Sequence, residues 1–264
     1  MDFKQLFKDP FVWIMLIWFA VTFFVFLIPQ DYVGPFKMGY WDLYYIMFLQ
    51  PPVMAAGAMF VIFILMGFKS QEGKFWLLMF IGILLWAVGE IVYYYFSMVA
   101  FVEAFPSFAD VVYIAGYVVF GAGLIYKVLN TKVALTPAKV AWILGPILLI
   151  AIPTAIWVAY PAITAPDYST LALCVSLTYP ILDLVLIGLA MYILLAFFWG
   201  SYTPNGWIII AIGVILMTIA DIIFTAMNWQ DIYYPILDMF YVGSYLAYAI
   251  GAIYQIKFIR SLMG

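Results

Sequence analysis

The sequence of 264 residues contains no histidine and only one cysteine, Cys174. Without histidine, the chain cannot form a bis-histidine haem site, a histidine-ligated zinc site or a histidine-based catalytic triad. One cysteine provides neither an internal disulfide nor a CxxC metal pair, and no GxGxxG, Walker or HExxH pattern occurs. We therefore expect a protein that is not an enzyme and that carries no cofactor.

Charged residues are also scarce, at 9% of the chain, whereas 69% is hydrophobic and the mean hydropathy is +1.15. A soluble domain is about half apolar and about a quarter charged, so this composition indicates an integral membrane protein. Because a segment of about 20 apolar residues in lipid must satisfy its own backbone, each long apolar run is predicted to be a helix. Eight such runs occur, at roughly 11–29, 42–67, 74–98, 108–129, 139–160, 170–199, 206–228 and 234–261.

These runs predict an all-α fold, with the lipid bilayer as its surroundings. The connections between them are short, so we expect one polytopic transmembrane domain over 1–264. No room remains for a soluble catalytic module or for a module that binds nucleic acid.

The basic residues fall unevenly on the two sides of an eight-helix arrangement. Only Lys37 lies on the side opposite to both termini. The others are Lys4, Lys8, Lys69, Lys74, Lys127, Lys132, Lys139, Lys257 and Arg260. Since cytoplasmic loops are enriched in Lys and Arg, the sequence predicts a multi-pass protein of the cell membrane with both termini in the cytoplasm.

The third and fourth predicted helices recur in the sequence as the seventh and eighth. The segment 76–98 (WLLMFIGILLWAVGEIVYYYFSM) matches 207–228 (WIIIAIGVILMTIADIIFTAMN), and the repeat covers 74–129 and 206–261. The matched residues are Glu90 with Asp221 at an offset of 131, and Asp110 with Asp238, Tyr113 with Tyr241 and Tyr117 with Tyr245 at an offset of 128. Matched helices of the two copies are four helices apart in the chain, so the copies should share one orientation and be related by an axis along the membrane normal.

The pentapeptide YPILD occurs twice, at 179–183 and at 234–238. Its aspartates, together with Asp42 and Asp110, are predicted to lie in the first turns of the even-numbered helices, at the outer surface. The prediction thus places Asp183 at the start of the sixth helix and Asp238 at the start of the eighth. An acid in a first turn also has a purely structural explanation, because it meets the positive end of the helix dipole.

Glu90 and Asp221 lie more than a dozen residues inside their predicted helices. A charge near the centre of a membrane helix costs about 2.5–3.5 kcal/mol, so two acids at matched depths predict a shared polar site in the outer half. The candidate ligand-binding residues are Glu90, Asp110, Tyr113, Tyr117, Asp183, Asp221, Asp238, Tyr241 and Tyr245. No Lys or Arg is predicted at this depth, so protons or a bound cation must neutralise the acids. In the alternative interpretation, the tyrosines and helix-start amides hold the acids as interhelical contacts without a ligand.

Several short motifs follow one another between residues 76 and 254: WAVGEIVYYYF, FPSFADVVYIAGY, YPILDLVLIGLAM, IADIIFTAM and YPILDMFYVGSYLAYAIGAIY. In this order they resemble the multi-span sensor region found ahead of GGDEF, EAL, PAS or histidine-kinase modules in bacteria and archaea. The resemblance implies a sensory module that receives a ligand. No output domain follows Arg260 in this sequence, so signalling is expected to require a separate partner protein.

The residues leave three functions open. A receptor-like module would bind a small ligand or cation from outside and act through a separate signalling protein or a homo-oligomer. A small cation- or proton-coupled transporter also suits parallel repeats, but it needs polar residues through the cytoplasmic half, which is mostly Leu, Ile, Phe and Met. A structural subunit of a membrane complex would bind nothing small. The sequence favours the receptor.

Overall fold

The computed structural model describes residues 7–33, 39–102, 105–131, 133–164, 169–198, 205–228 and 234–263. Lys4, Lys37 and Lys132, on which the predicted orientation partly depends, lie outside these described residues. The long helices are α1 (Pro10–Phe26), α2 (Tyr40–Met66), α3 (Gln71–Tyr94), α4 (Phe108–Leu129), α5 (Pro137–Thr154), α6 (Thr170–Phe198), α7 (Asn205–Asn228) and α8 (Met239–Met263). Each of the eight predicted segments is therefore helical, with ends that differ from the prediction by a few residues.

Three of these helices are extended by turns of another type. A π-helical turn, Tyr95–Val99, continues α3. A second π-helical turn, Ala155–Ala159, follows α5 and leads into a short helix, Tyr160–Thr164. A 3₁₀ turn, Pro235–Asp238, precedes α8 and contains the last four residues of the second YPILD.

Seven helical segments of the described chain are long and apolar enough to cross a membrane. They are Tyr40–Met66, Gln71–Val99, Phe108–Leu129, Pro137–Thr164, Thr170–Ala196, Gly206–Ala226 and Pro235–Ser261. The protein is therefore an all-α, multi-pass membrane protein, as its composition predicts. The remaining helix, α1, has 17 residues. Its length of about 25 Å is less than the roughly 30 Å of a bilayer's hydrocarbon core.

Two of the predicted first-turn aspartates bond to the backbone where their helices begin. Asp42 accepts a hydrogen bond from the amide of Gly39 (2.9 Å) at the start of α2. Asp110 accepts one from the amide of Ser107 (2.6 Å) at the start of α4. Each carboxylate thereby satisfies one of the amides that a helix start leaves without an intrahelical partner. Asp238, in the 3₁₀ turn ahead of α8, also lies where the sequence predicts it.

The prediction for Asp183 is wrong. Helix α6 begins at Thr170, about three and a half turns before this residue, so the first YPILD lies inside the helix and does not open it. The apolar run already begins at Leu171, and Pro180 is accommodated within α6. Membrane helices tolerate an internal proline because neighbouring groups satisfy the carbonyl that it leaves free.

Six of the helices form a closed ring. Around this ring α2 packs on α3, α3 on α4, α4 on α6, α6 on α7, α7 on α8, and α8 on α2. Helix α1 packs outside the ring against α2 and α8, and α5 packs outside it against α6. The inner faces of the six ring helices therefore face one another across a common interior.

One end of the ring interior is filled with apolar side chains. At the start of α3 and of α7, the buried rings of Trp76 and Trp207 lie 5.7 Å apart, and Phe75 lies 5.2 Å from Trp207. Close helix contact tightens the packing between α3 and α4. A Cβ atom at Gly82 would lie 2.6 Å from the Cβ of Phe120, so only glycine permits this approach. The polar interior is consequently confined to the other end of the ring.

Candidate ligand-binding cavity

A cavity of about 300 Å³ lies inside the ring, at the end where α2, α4 and α8 begin. All six ring helices contribute to its wall. Rings from Trp41, Tyr45, Phe48, Trp86 and Phe224 form much of the apolar surface. The cavity is thus an aromatic chamber at one end of the helix bundle.

The structure brings eight of the nine predicted site residues to this cavity. They are Glu90, Asp110, Tyr113, Tyr117, Asp221, Asp238, Tyr241 and Tyr245. The ninth, Asp183, is buried at 1% exposure and is not part of the wall. The predicted grouping therefore matches the geometry, and ligand binding by these residues stays a prediction.

Glu90 lies on the inner face of α3 and is held by two tyrosines. The hydroxyl of Tyr113 donates to Oε2 of Glu90 (2.7 Å), and the hydroxyl of Tyr245 donates to Oε1 (3.1 Å). Glu90 itself is only 8% exposed. Each carboxylate oxygen thus has a phenolic donor, which offsets part of the cost of burying the group.

Asp221, on α7, is also held by two tyrosines. The hydroxyl of Tyr241 donates to Oδ1 of Asp221 (2.6 Å), and the hydroxyl of Tyr117 contacts Oδ2. In contrast to Glu90, Asp221 remains partly exposed, and it lines the cavity. The two deep acids therefore differ in exposure but have the same kind of hydrogen-bond partners.

Asp110 and Asp238 combine a helix start with a tyrosine from a neighbouring helix. Asp110 accepts a hydrogen bond from the hydroxyl of Tyr179 on α6 (2.8 Å), in addition to its backbone bond. Asp238 accepts one from the hydroxyl of Tyr44 on α2. Both acids are 6% exposed. Their hydrogen bonds link neighbouring helices of the ring, α4 to α6 and α8 to α2.

Asp183 lies behind the cavity wall, on α6. Its Oδ1 lies 2.9 Å from the hydroxyl of Tyr117, the same hydroxyl that contacts Asp221. Its Oδ2 is buried and has no hydrogen-bond partner among the described residues. Asp183 therefore differs from the other four acids in its local environment.

The cavity has no basic side chain among the described residues of its wall. The ion pairs found in the described part of the chain, Lys127 with Glu72 and Lys257 with Asp9, lie at the opposite end of the helices. The field inside the cavity is therefore set by acids and by aromatic faces, whose quadrupoles are also negative. Where its acids are ionised, such a wall attracts cations and repels anions.

Sequence reasoning missed Tyr44 and Tyr179, which hold Asp238 and Asp110. A signal was present, because Tyr179 is the first residue of YPILD and Tyr44 lies in the WDLYY motif at 41–45. The sequence does not show that α2 packs against α8 or that α6 packs against α4. The aromatic rings of the wall were likewise visible only as an excess of Trp, Tyr and Phe, which any membrane protein shows at its interfaces.

No protein-family model, no curated protein and no solved structure matches the chain. The resemblance to bacterial and archaeal sensor regions accordingly stays a prediction that depends on the short motifs alone.

Proposed function

We propose that the protein is a receptor-like membrane module whose cavity binds a small organic cation. The observation that carries the proposal is the wall of the cavity, in which Glu90, Asp110, Asp221 and Asp238 stand among aromatic rings without a basic residue in the described wall. A volume of about 300 Å³ is at the lower end of the range for small-molecule sites. The ligand is accordingly compact.

An organic cation suits the wall better than a metal ion. Hard metal ions need several oxygen ligands at about 2.0–2.6 Å, and the described residues contain no group of three or more acidic, cysteine or histidine side chains placed to hold one. Both oxygens of Glu90 and of Asp221 already accept hydrogen bonds from tyrosines. An alkylammonium group needs no direct coordination, because it is attracted by the net negative charge and by aromatic faces.

A receptor is favoured over a transporter because the cavity does not continue through the ring. Beyond its inner end the interior is packed with apolar side chains, including Met79, Ile83 and Phe120, each fully buried. The paired Trp76 and Trp207 rings fill the far end. A carrier needs a polar path on both sides of its site, and the described residues supply such a path on one side.

The proposal includes the internal repeat over 74–129 and 206–261. Each deep acid receives one tyrosine from its own copy and one from the other copy. The matched contacts are Tyr113 and Tyr245 on Glu90, and Tyr241 and Tyr117 on Asp221. A two-fold axis that exchanges the copies would exchange these contacts.

The order of helices in the ring supports the same axis. Exchanging α2 with α6, α3 with α7 and α4 with α8 leaves the order of neighbours unchanged. The same exchange converts the Tyr179–Asp110 hydrogen bond into the Tyr44–Asp238 hydrogen bond. We infer that the cavity lies on this axis, between the two halves.

In the proposed orientation both termini are cytoplasmic and the cavity is on the outer side of the cell membrane. The excess of Lys and Arg at the opposite end of the helices supports this orientation. The resemblance to sensor regions supports a signalling role, in which a separate partner protein or a second copy of the chain responds to the ligand.

Choline and its neutral isostere 3,3-dimethylbutan-1-ol test the binding proposal. The two molecules have nearly the same shape and differ in the charge of one atom. We expect choline to raise the thermal unfolding midpoint of the detergent-purified protein in a saturable manner, and the isostere to leave it unchanged. At a concentration of about 100 times Kd the stabilisation is about 2.7 kcal/mol, or roughly 5–10 °C for a chain of this size. Equal effects of both molecules, or no effect of any organic cation in a panel of primary to quaternary amines, would contradict the proposal.

Uptake into liposomes separates the receptor from the transporter. Protein reconstituted in both orientations should not raise the flux of a stabilising cation above that of empty liposomes, with or without a pH gradient. Saturable uptake that depends on the protein would show that the protein is a transporter and not a receptor. The proposed cation site would still stand in that case.

A further inference from the structure

The hydroxyl of Tyr117 lies between two carboxyl groups. It is 2.9 Å from Oδ1 of Asp183 on α6, and it also contacts Oδ2 of Asp221 on α7. A phenol has a single proton and can donate to only one acceptor at a time. If both carboxylates are ionised, the hydroxyl of Tyr117 donates its proton to one of them. Its oxygen then lies against an oxygen of the other carboxylate with no proton between the two atoms.

The other donors near this pair do not supply the missing proton. Thr218 faces Asp183 from α7, but its hydroxyl donates to the carbonyl of Val214 (3.1 Å). Oδ2 of Asp183 is buried without any hydrogen-bond partner in the described residues, and Asp183 is 1% exposed. The carboxyl groups of Asp183 and Asp221 are near neighbours, because both contact the same hydroxyl of Tyr117, and a direct hydrogen bond between them would require that one of them be protonated.

Asp183 is also where the two halves of the ring differ. Tyr179 on α6 and Tyr44 on α2 bind matched aspartates, and four residues further along each helix the sequence has Asp183 and Phe48. Tyr245, the counterpart of Tyr117, bonds to a single carboxylate, that of Glu90. The extra acid, Asp183, therefore occurs in one half only. Only in that half do two carboxyl groups share a single phenolic donor.

We propose that Asp183 and Asp221, joined by the hydroxyl of Tyr117, form a buried site that binds one proton behind the ligand cavity. The proton is held by one of the two carboxyl groups, and the pair carries one negative charge in place of two. Two like charges that contact the same hydroxyl, one of them on the buried Asp183, favour sharing of a single proton. The site shares Asp221 with the proposed cation site, but it does not require that the cavity bind anything.

The groups that face the pair come from the neighbouring helices. Tyr117 faces it from α4, Thr218 accompanies Asp221 on α7, and Tyr241 on α8 donates to Oδ1 of Asp221 (2.6 Å). Tyr248 on α8 is within electrostatic range of both acids, and Glu90 on α3 is within range of Asp221. The hydroxyl of Tyr248 is buried and has no hydrogen-bond partner among the described residues. None of these groups is basic, so no charged partner of the described residues replaces the proton.

If the cavity binds a cation, the two sites are linked, because Asp221 belongs to both. A cation in the cavity favours the doubly ionised pair, so its binding should release part of a proton. This consequence rests on the proposed function, whereas the proton site itself does not.

The pH dependence of thermal unfolding, without any ligand, tests the proton site. A proton that is bound in the folded state and released on unfolding makes stability fall as pH rises, by up to about tenfold in the folding equilibrium per pH unit. Asp183→Asn supplies its own N–H donor to Asp221 and needs no proton. Between about pH 5 and about pH 8, we expect the fall in the unfolding midpoint of this variant to be smaller than in the wild type by on the order of a few degrees per pH unit. Asp42→Asn, which removes an exposed acid at a helix start, should retain the wild-type slope.

Infrared spectroscopy gives a second readout that does not depend on a variant. The wild-type protein at neutral pH should show the carbonyl stretching band of a protonated carboxylic acid, and this band should be weaker in Asp183→Asn. A wild type without this band would overturn the proposal, even if the variant fails to fold. An unchanged slope in a folded Asp183→Asn protein would also overturn it. So would stabilisation by sodium over N-methylglucamine that requires Asp183, because a metal cation would then occupy the site.

Discussion

The substitution Glu90→Gln removes one charge from the cavity while keeping the size of the side chain. The oxygen of glutamine can still accept a hydrogen bond from Tyr113 or Tyr245, and its NH₂ group then faces the oxygen of the other tyrosine. The loss concerns one charge-assisted hydrogen bond in a buried site, for which we expect a destabilisation of about 1–3 kcal/mol. The variant should therefore fold.

The effect on ligand affinity follows from the size of the cavity. A sphere of about 300 Å³ has a radius of about 4 Å, so a cation at its centre lies roughly 4–6 Å from a carboxylate oxygen in the wall. At an effective dielectric constant of about 20, a unit charge at about 5 Å contributes about 3 kcal/mol. Glu90→Gln should accordingly weaken the binding of an organic cation by on the order of 100-fold.

Isothermal titration of choline, or of whichever organic cation stabilises the protein most, measures this difference directly. Asp42→Asn is the matched control, because it removes a carboxylate of the same charge near the same end of the bundle but outside the cavity wall. We expect the control to bind with wild-type affinity. Equal affinities of the wild type and a correctly folded Glu90→Gln protein would refute the assignment of Glu90 to a cation site and would favour a role in interhelical contacts only.

Three further predictions concern the site, the packing and the orientation. Asp221→Asn should leave the protein folded, weaken cation binding and reduce the pH dependence of the thermal midpoint; curves identical to the wild type across pH would mean that this acid is structural. Gly82→Ala places a Cβ 2.6 Å from a side-chain atom of α4 and should cost about 1–3 kcal/mol, whereas Gly57→Ala meets nothing within 4 Å and should leave the melting temperature unchanged or raise it. In a cysteine-free background, thiol labelling of cysteines placed at Ser70 and Phe101 should occur from opposite sides of the membrane, and labelling from one side would contradict the proposed topology.

The helices could be predicted from the sequence because each depends on local information. A run of about 20 apolar residues in lipid has no alternative to a helix. The starts of α2 and α4 are marked by aspartates that bond to the backbone three residues earlier. Both signals are contained within a few consecutive residues.

The failure at Asp183 shows the limit of local signals. Proline followed by an acid suits a helix start, and the same five letters do precede α8. The copy at 179–183 is preceded by an apolar run that already begins at Leu171, so the helix extends through the motif. Identical pentapeptides thus have different roles because their flanking sequences differ.

The grouping of the acids was predictable, but the arrangement that groups them was not. Matched positions in the two copies place Glu90 and Asp221 at similar depths, and tyrosines at helical spacing place phenols on the same faces. The closed ring of six helices, with α1 and α5 outside, depends on contacts between distant segments that the sequence does not reveal. That arrangement determines that Tyr117 touches both Asp183 and Asp221 and that Tyr179 reaches Asp110.

An experimental density map of the protein with a saturating organic cation tests the central claim most directly. We expect a ligand-sized density inside the ring, bordered by Glu90, Asp110, Asp221 and Asp238 and in contact with the faces of the surrounding aromatic rings. The density should be absent from a map of Glu90→Gln prepared at the same cation concentration. A wild-type cavity closed by its own side chains, or one that holds the same density with and without the cation, would contradict the claim that this chamber is a cation-binding site.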